Sequence, residues 1–513
     1  MKNDAYADIR LHGLGDVLRE HRRSRRSMPA LVDGEQRLDF AALDGQVNRI
    51  ATALRQRGIS AGDRIMWLGQ NSSKVVILLL AAAKIGAVLC PANWRMTTSE
   101  MADAIADFDP KLLFWQEGET GEVHRACRAA AGGARIWLQQ DGTCEDSYDA
   151  LLRAGRDEDD DARVDPDLPV LAIYTAAHSG RAGAALLSHS GLLLQGFLSA
   201  QGQAIDDRTR YLAAGPMFHI GVMVGLFATF LSGGCSVIVA RAQADTMARL
   251  IHEERATHGF VAQPLLADMA AAARANGYDL SSMFGQPDLS DWVSPAVMPP
   301  HAPQRARMGG YGQTELTGSV LERRFGGAGA GRPNMFTQVK LLDDAGNEAP
   351  DGATGEIAVR GPLVMCGYLG RPEENAARSR SGWHRTSDLG VRGEDGSIAF
   401  VGPKMTMIKT GVENVYPIEV EACILQHEAV EQVCVIGVPD PKWDQNVKAV
   451  VVLKADAIAT ADDIVQHCRD RISSFKKPKI VAFADRLPRL ASGALDRASV
   501  DAEHGGGGYP SAR

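Results

Sequence analysis

No two of the eight cysteines form a C-x-x-C pair; Cys90, Cys127, Cys144, Cys235, Cys366, Cys423, Cys434 and Cys468 are scattered singly. That spacing argues against a disulfide framework and predicts reduced thiols in a cytoplasmic protein. Positive charge is in deficit, with 55 Lys and Arg against 63 Asp and Glu and a net charge of −8. A general nucleic-acid surface is therefore not expected. The start, MKNDAYADIRLHG, has no apolar core after a basic segment, so it does not read as a secretory signal. A membrane span needs about twenty apolar residues. The longest apolar stretch, VVILLLAAAKIGAVLC (75–90), is shorter and carries Lys84. It reads as a buried helix leading into a strand.

What remains is an ordinary soluble composition, 45% hydrophobic and 23% charged. A chain of 513 residues exceeds a single core and predicts two or three domains. LDFAALDGQVNRIATALRQRGI (38–59) has helical periodicity and ends at Gly58. DRIMWLGQN (63–71) reads as a strand and turn, VVILLLAAAKIGA as a helix and VLCPAN as the next strand. KLLFWQ (111–116) and ARIWLQQ (134–140) continue the alternation. This pattern predicts an α/β fold with doubly wound parallel sheets covered on both faces. RAGRDEDDDARVDPDLP (153–169) reads as an exposed acidic loop, after which LAIYTAA resumes the strands. Beyond residue 330, TQVKLLDDAGNEAPDGATGEIAVRG (337–361) predicts strands around Asp/Gly turns in a small antiparallel or barrel-like region. From residue 417 to about 500, two helical and two strand segments predict a compact α+β terminal domain. The tail HGGGGYPSAR predicts disorder.

Four segments carry residues suited to nucleotide chemistry. YTAAHSGRAGAALLSH (174–189) resembles a phosphate loop, yet it has no Lys. Thr175, Ser179 and Gly180 could offer hydroxyls and backbone N–H groups to phosphate. In MGGYGQTELTG (308–318), Gly309, Gly310 and Gly312 allow close approach to a flat ligand, and Tyr311 could stack on a base. Thr314 brings a hydroxyl donor, and Glu315 a carboxylate of the kind that holds Mg²⁺ beside phosphates. In GWHRTSDLGVRGEDGSIAFVG (382–402), Asp388 could accept both hydroxyls of a ribose. In GPMFHIGVMVGL (215–226), His219 lies among apolar residues suited to an acyl or aryl pocket. Taken singly, each has a plainer reading: a tight turn, a Gly-rich turn before a helix, a turn aspartate, a satisfied core histidine.

In this order the segments resemble the adenylate-forming superfamily, and within it the acyl-CoA synthetases. PANWRMTTSEM (91–101), GEIAVRGPLVMCGY (355–368), GVENVYPIEVE (411–421) and VIGVPDPKWDQNVKAVVV (435–452) extend the match over nearly the whole chain. The resemblance implies a large domain over 1–402, a hinge at 403–406 and a small mobile lid domain over 407–513. It implies two steps: a carboxylate attacks ATP to give acyl-AMP and pyrophosphate, then the thiol of CoA takes the acyl group. Catalysis of the first step rests on cations and donors set around the phosphates. By resemblance Thr314, Glu315 and Asp388 serve phosphate, Mg²⁺ and ribose. Gly309, Gly310 and Tyr311 line the adenine, and His219 lies beside the acyl carboxylate. Gly411, Trp443, Phe475 and Lys479 would line the CoA path. His219, Val222, Val224, Gly225 and VAQPLLA (261–267), with Pro264, would shape an apolar acyl pocket for a medium-chain or aromatic acid. The implied partners are a small carboxylic acid, ATP and CoA; the sequence fixes no oligomeric state and leaves a homodimer open.

The departures from the family pattern concern cations. The usual Ser-Gly-Thr is Ala176-Ala177-His178, and the Pro-Lys that follows is Ala182-Gly183. The ribose-contacting Arg is Pro403, the hinge Asp or Lys is Met405, and the neighbouring Asp is Thr406. In LASGALDR (490–497), Ala494 stands where the family has its adenylating Lys. Loss of one preorganised donor typically costs about 10²–10³ in rate. An acid–CoA ligase impaired in adenylation is the leading expectation. A degenerate homologue that binds acyl-adenylate or acyl-CoA is a second class, and transfer to a carrier-protein thiol a third.

Overall fold

The structure is a computed structural model that describes residues 8–118, 120–130, 135–175, 182–284, 296–297, 310–323, 330–404, 406–411, 413–489 and 495–507. Ser179, Gly180, Gly309, Met405, Ala494 and the end of the Gly-rich tail lie outside the described residues.

Two sheets with parallel centres organise the first part of the chain. The seven-stranded sheet runs, in spatial order, Gly367–Tyr368, Gly183–Ser188, Pro169–Thr175, Val88–Ala92, Arg64–Leu68, Leu112–Trp115 and Ile136–Gln139. Its last five strands are parallel, while Gly183–Ser188 pairs antiparallel on both sides. The six-stranded sheet runs Ala296–Val297, His258–Phe260, Arg210–Ala213, Cys235–Ile238, Pro29–Asp33 and Gln36–Asp39, parallel except at its two edges. The expected doubly wound architecture is present. Strands that are apolar on both faces, such as Val88–Ala92 with every residue buried, require helices on both sides.

The helix Ser73–Ile85 is one of those covers. Ser72 caps its N-terminus, and Gly86 ends it at φ 74°, a left-handed conformation that suits glycine. Lys84 lies within it and is buried. Its Nζ sits 2.6 Å from each of Asp44 Oδ1, Asn48 Oδ1 and Asp159 Oδ2. Asp159 also accepts from Arg19 Nε and Nη2, at 2.8 and 2.9 Å, and Asp157 takes Arg22 at 2.8 Å. The acidic loop therefore follows the surface as expected, but two of its carboxylates reach inward. They clamp the helices Leu14–Ser24 and Phe40–Gln56 to Ser73–Ile85.

After residue 330 an antiparallel sheet of Gln338–Leu342, Thr354–Arg360, Trp383–Arg392, Ser379–Arg380 and Ile398–Pro403 follows. The terminal part is built on the long antiparallel pair Val430–Asp440 and Asp444–Leu453, flanked by the helices Pro417–Ile424 and Ala461–Arg469. Among the described residues, no helix is long and apolar enough to cross a membrane.

The terminal part docks on the early motif. Glu100 closes a capping box with Thr97 at the start of Thr98–Phe108. The same carboxylate accepts hydrogen bonds from Ser473 Oγ at 2.7 Å and Lys476 Nζ at 2.9 Å. Arg95 pairs with Glu413.

Candidate active site

The glycine-rich segment is a hairpin strand, Gly310–Gln313, paired with Gly318–Glu322. A Cβ on Gly310 would lie 2.0 Å from the Leu321 carbonyl oxygen, and one on Gly312 2.0 Å from that of Gly318. Close strand packing is enough to require both glycines. Between them Tyr311 turns inward. Its ring stacks on Phe400 at 5.4 Å, and its hydroxyl donates to Asp388 Oδ2 at 2.7 Å. Gln313 Nε2 donates to the same oxygen at 3.0 Å. Asp388 projects from the strand Trp383–Arg392. Burial and the nearby Glu315 raise its carboxyl to about 6, against the lowering pull of Tyr311, Gln313 and Arg378.

The chain then makes a 3-10 turn, Thr314–Leu316, which buries Glu315. Thr314 opens that turn, its carbonyl accepting from Thr317 N at 2.9 Å. The Tyr368 hydroxyl donates to Glu315 Oε1 at 2.5 Å. Tyr368 packs against Gly183, where a Cβ would come within 2.8 Å of its ring, and Gly183 is the strand partner of Thr175. Thr175, Glu315 and Asp388, far apart in sequence, thus border one region. Gln313 Oε1, Arg378 Nη1 and His384 Nε2 are buried there with no hydrogen-bond partner among the described residues. Such groups typically cost about 1–3 kcal/mol each until a ligand or water completes them, so the region suits a polar ligand. A single buried carboxylate, Glu315, is also the donor set that suits Mg²⁺, which keeps its remaining sites for phosphates and water.

His219, expected beside the acyl carboxylate, precedes the helix Ile220–Ser232. It is not a core histidine: about a third of its side chain is exposed, and Nε2 lies 3.3 Å from Glu413 Oε2. Glu413 also pairs with Arg95. Burial would raise the Glu413 carboxyl, but His219 and Arg95 hold it down at about 2. The Arg95 guanidinium lies 5.1 Å from the Phe218 ring and 5.6 Å from that of Phe475. Val222 is fully buried and packs on Gly215, and Gly225 backs onto the Tyr211 ring. Val224 instead faces Gly318, at 3.2 Å from a Cβ built there. Pro264 lies in the half-buried 3-10 turn Gln263–Leu265.

The residues assigned to CoA fall into two places. Gly411, at φ 61°, donates its N–H to the Trp443 carbonyl at 2.7 Å, and a Cβ there would meet the Trp443 ring at 3.1 Å. Lys479 Nζ lies 5.7 Å from the same ring. Phe475 is placed at Arg95, next to the acyl side. Sequence reasoning missed Arg95, Gln313, Tyr368, Arg378, His384 and Glu413. Motif membership was the available signal for all except Arg378.

Glu315 and Asp388 thus share one buried region, and the terminal part docks against His219 through Glu413. The chain belongs to the AMP-binding enzyme family, whose profile matches residues 18–369, with the AMP-binding enzyme C-terminal domain at 419–494. It is an acid–thiol ligase of the acyl-CoA synthetase type. It is 33% identical to a feruloyl-CoA synthase of Amycolatopsis sp over 96% of this chain and 99% of that protein. It is 31% identical to an indoleacetate–CoA ligase of Aromatoleum aromaticum over 91% of this chain and 93% of that protein. The fold matches an o-succinylbenzoate CoA synthetase from Bacillus subtilis with TM-score 0.78 at 24% identity, over 95% of this chain and 98% of that one.

Proposed function

We propose that this chain joins an apolar aromatic acid to CoA in the cytoplasm, through an acyl-adenylate made from ATP, and that its adenylation step is impaired. The convergence of Tyr311, Gln313, Glu315 and Asp388 on one region with unpartnered buried atoms supports the nucleotide half of this reading. The aryl acids in the names of its relatives support the substrate class.

In the adenylation step Asp388 accepts the ribose hydroxyls, and Thr175 and Thr314 offer hydroxyls to phosphate. Ser179 and Gly180 add donors from the loop. Gly309, Gly310 and Gly312 carry the backbone of the adenine side, where Tyr311 lines the wall. Glu315 would hold Mg²⁺, which neutralises phosphate charge when bound. His219 orients the acid's carboxylate, and Val224 and Pro264 border the acyl group. AMP is a far better leaving group than oxide, which is why the acid must be adenylated first. Ala494 removes a cation from this step, and Pro403 and Gly183 remove two more. For thioester formation the cap over 407–513 moves about 403–406 and brings Gly411, Trp443, Phe475 and Lys479 to guide the CoA thiol. The docked contacts Arg95–Glu413 and Glu100–Lys476 support that arrangement.

The test separates the half-reactions. Synthetic aryl-AMP plus CoA yields thioester, while pyrophosphate exchange with the free acid and ATP is slow. No thioester from supplied aryl-AMP refutes the proposal.

A further inference from the structure

Arg378 ends the helix Pro372–Arg378. Its side chain is only 11% exposed, and its Nε meets the Glu374 carboxylate at 3.3 Å. Its Cζ lies 5.5 Å from the ring centroid of Tyr368, the residue whose hydroxyl holds Glu315. Nη1 is buried with no partner among the described residues. His384 is 5% exposed, pairs across the sheet with Ser379, the residue after Arg378, and has Nε2 likewise without a partner among the described residues.

A plain packing role explains the guanidinium over the Tyr368 ring. It does not explain why the fold buries the far end of that guanidinium unsatisfied beside a second unsatisfied donor-capable ring. Leaving one buried donor of a charged group without an acceptor is costly, and an anion arriving at Nη1 removes that cost. The chain also lacks cations where the family pattern has them, at Gly183, Pro403 and Ala494. A triphosphate still needs positive charge near it, and a guanidinium suits phosphate through its planar fork of donors.

We propose that Arg378, with His384 beside it, forms an anion subsite for the terminal phosphates of ATP and for free inorganic pyrophosphate, replacing in part the missing cations. This rests on the nucleotide reading above. It assigns a phosphate role to a residue outside every motif named from the sequence.

The test is calorimetric titration of the full chain with AMP, ATP and inorganic pyrophosphate, on the wild type, Arg378→Gln, Arg378→Lys and His384→Phe. Truncating one partner of a buried charge contact predicts that Arg378→Gln weakens ATP and pyrophosphate about 30-fold or more, with AMP changed by less than about twofold. Arg378→Lys keeps part of the ATP affinity, and His384→Phe loses part of it. Equal weakening of AMP and ATP by Arg378→Gln overturns the proposal, since local damage alone would do that. Unchanged ATP and pyrophosphate binding overturns it as well. If Arg378→Gln does not fold, the other two variants decide: losses confined to ATP and pyrophosphate support the subsite, and unchanged binding removes it. A wild-type chain that takes up neither AMP nor ATP refutes the nucleotide reading and this inference together. Wild-type uptake of both, with Arg378→Gln unchanged, refutes the inference alone.

Discussion

Replacing Glu413 by Gln should separate the two half-reactions. The Glu413 carboxylate lies between Arg95 and His219, and it is among the groups that fix the terminal part against the acyl side. Its carboxyl falls from an ordinary 4.5 to about 2. Such a shift corresponds to about 3 kcal/mol in favour of the charged, docked form. Arg95 and His219 are each about a third exposed, and solvent screening reduces the usable part to about 2 kcal/mol. The sign follows from a depressed carboxyl. The stabilisation is lost as pH falls toward 2; at higher pH the Arg95 share persists, whereas the His219 share requires a protonated imidazole. Glu413→Gln keeps the shape and removes the charge. Docking should weaken by about 30-fold, since 1.4 kcal/mol is tenfold. Phe475, Gly411 and Trp443 arrive with the docked part, so thioester formation from supplied aryl-AMP and CoA should slow by a similar factor. Pyrophosphate exchange should fall by less, because Glu413 touches no group of the nucleotide region and reaches the adenylation step only through His219. Stopped-flow or quenched assays of each half-reaction, at several pH values between 6 and 8, about the ordinary working range, measure both. Equal losses in the two halves, or no loss in either, would refute the reasoning.

Asp388→Asn should raise thermal stability at pH 7 while weakening AMP. The wild-type carboxyl is raised to about 6, so ionisation above that pH costs native stability; the stability gain should shrink toward pH 5, where the wild type is protonated. Paired melting curves and AMP titrations check both signs. Lys84→Met should lower unfolding free energy by about 3–5 kcal/mol in urea, because Asp44 and Asp159 would lose a shared buried cation. Ala494→Lys should raise pyrophosphate release by about 10²-fold with an accepted acid. No rise across a panel of aromatic acids would show that the adenylation step is limited elsewhere.

Much of the fold was legible because each element announces itself locally. The alternation of apolar runs and turn residues marks Arg64–Leu68, Ser73–Ile85 and Val88–Ala92 without knowledge of their neighbours. The acidic loop was legible as a loop, but not as a clamp. Asp159 meets Lys84 and Arg19 only because the chain returns across the helices, and spacing carries no trace of that return. In the site, motif spacing pointed to Glu315 and Asp388, whose side-chain chemistry is fixed by residue type. It gave Tyr311 a base to stack on, whereas the structure gives its ring Phe400 and its hydroxyl Asp388.

The sequence by itself determined the chemistry available: which carboxylates, hydroxyls and cations exist, and which cations are missing. Those are properties of single residues and short windows. Only the tertiary structure decided which of them meet. Arg95 and Glu413 stand 318 positions apart and form one contact. Arg378 lies in no motif, yet it reaches the ring that holds Glu315. Such pairings depend on the path of the whole backbone, and the polar atoms left unpaired depend on what that path packs around them.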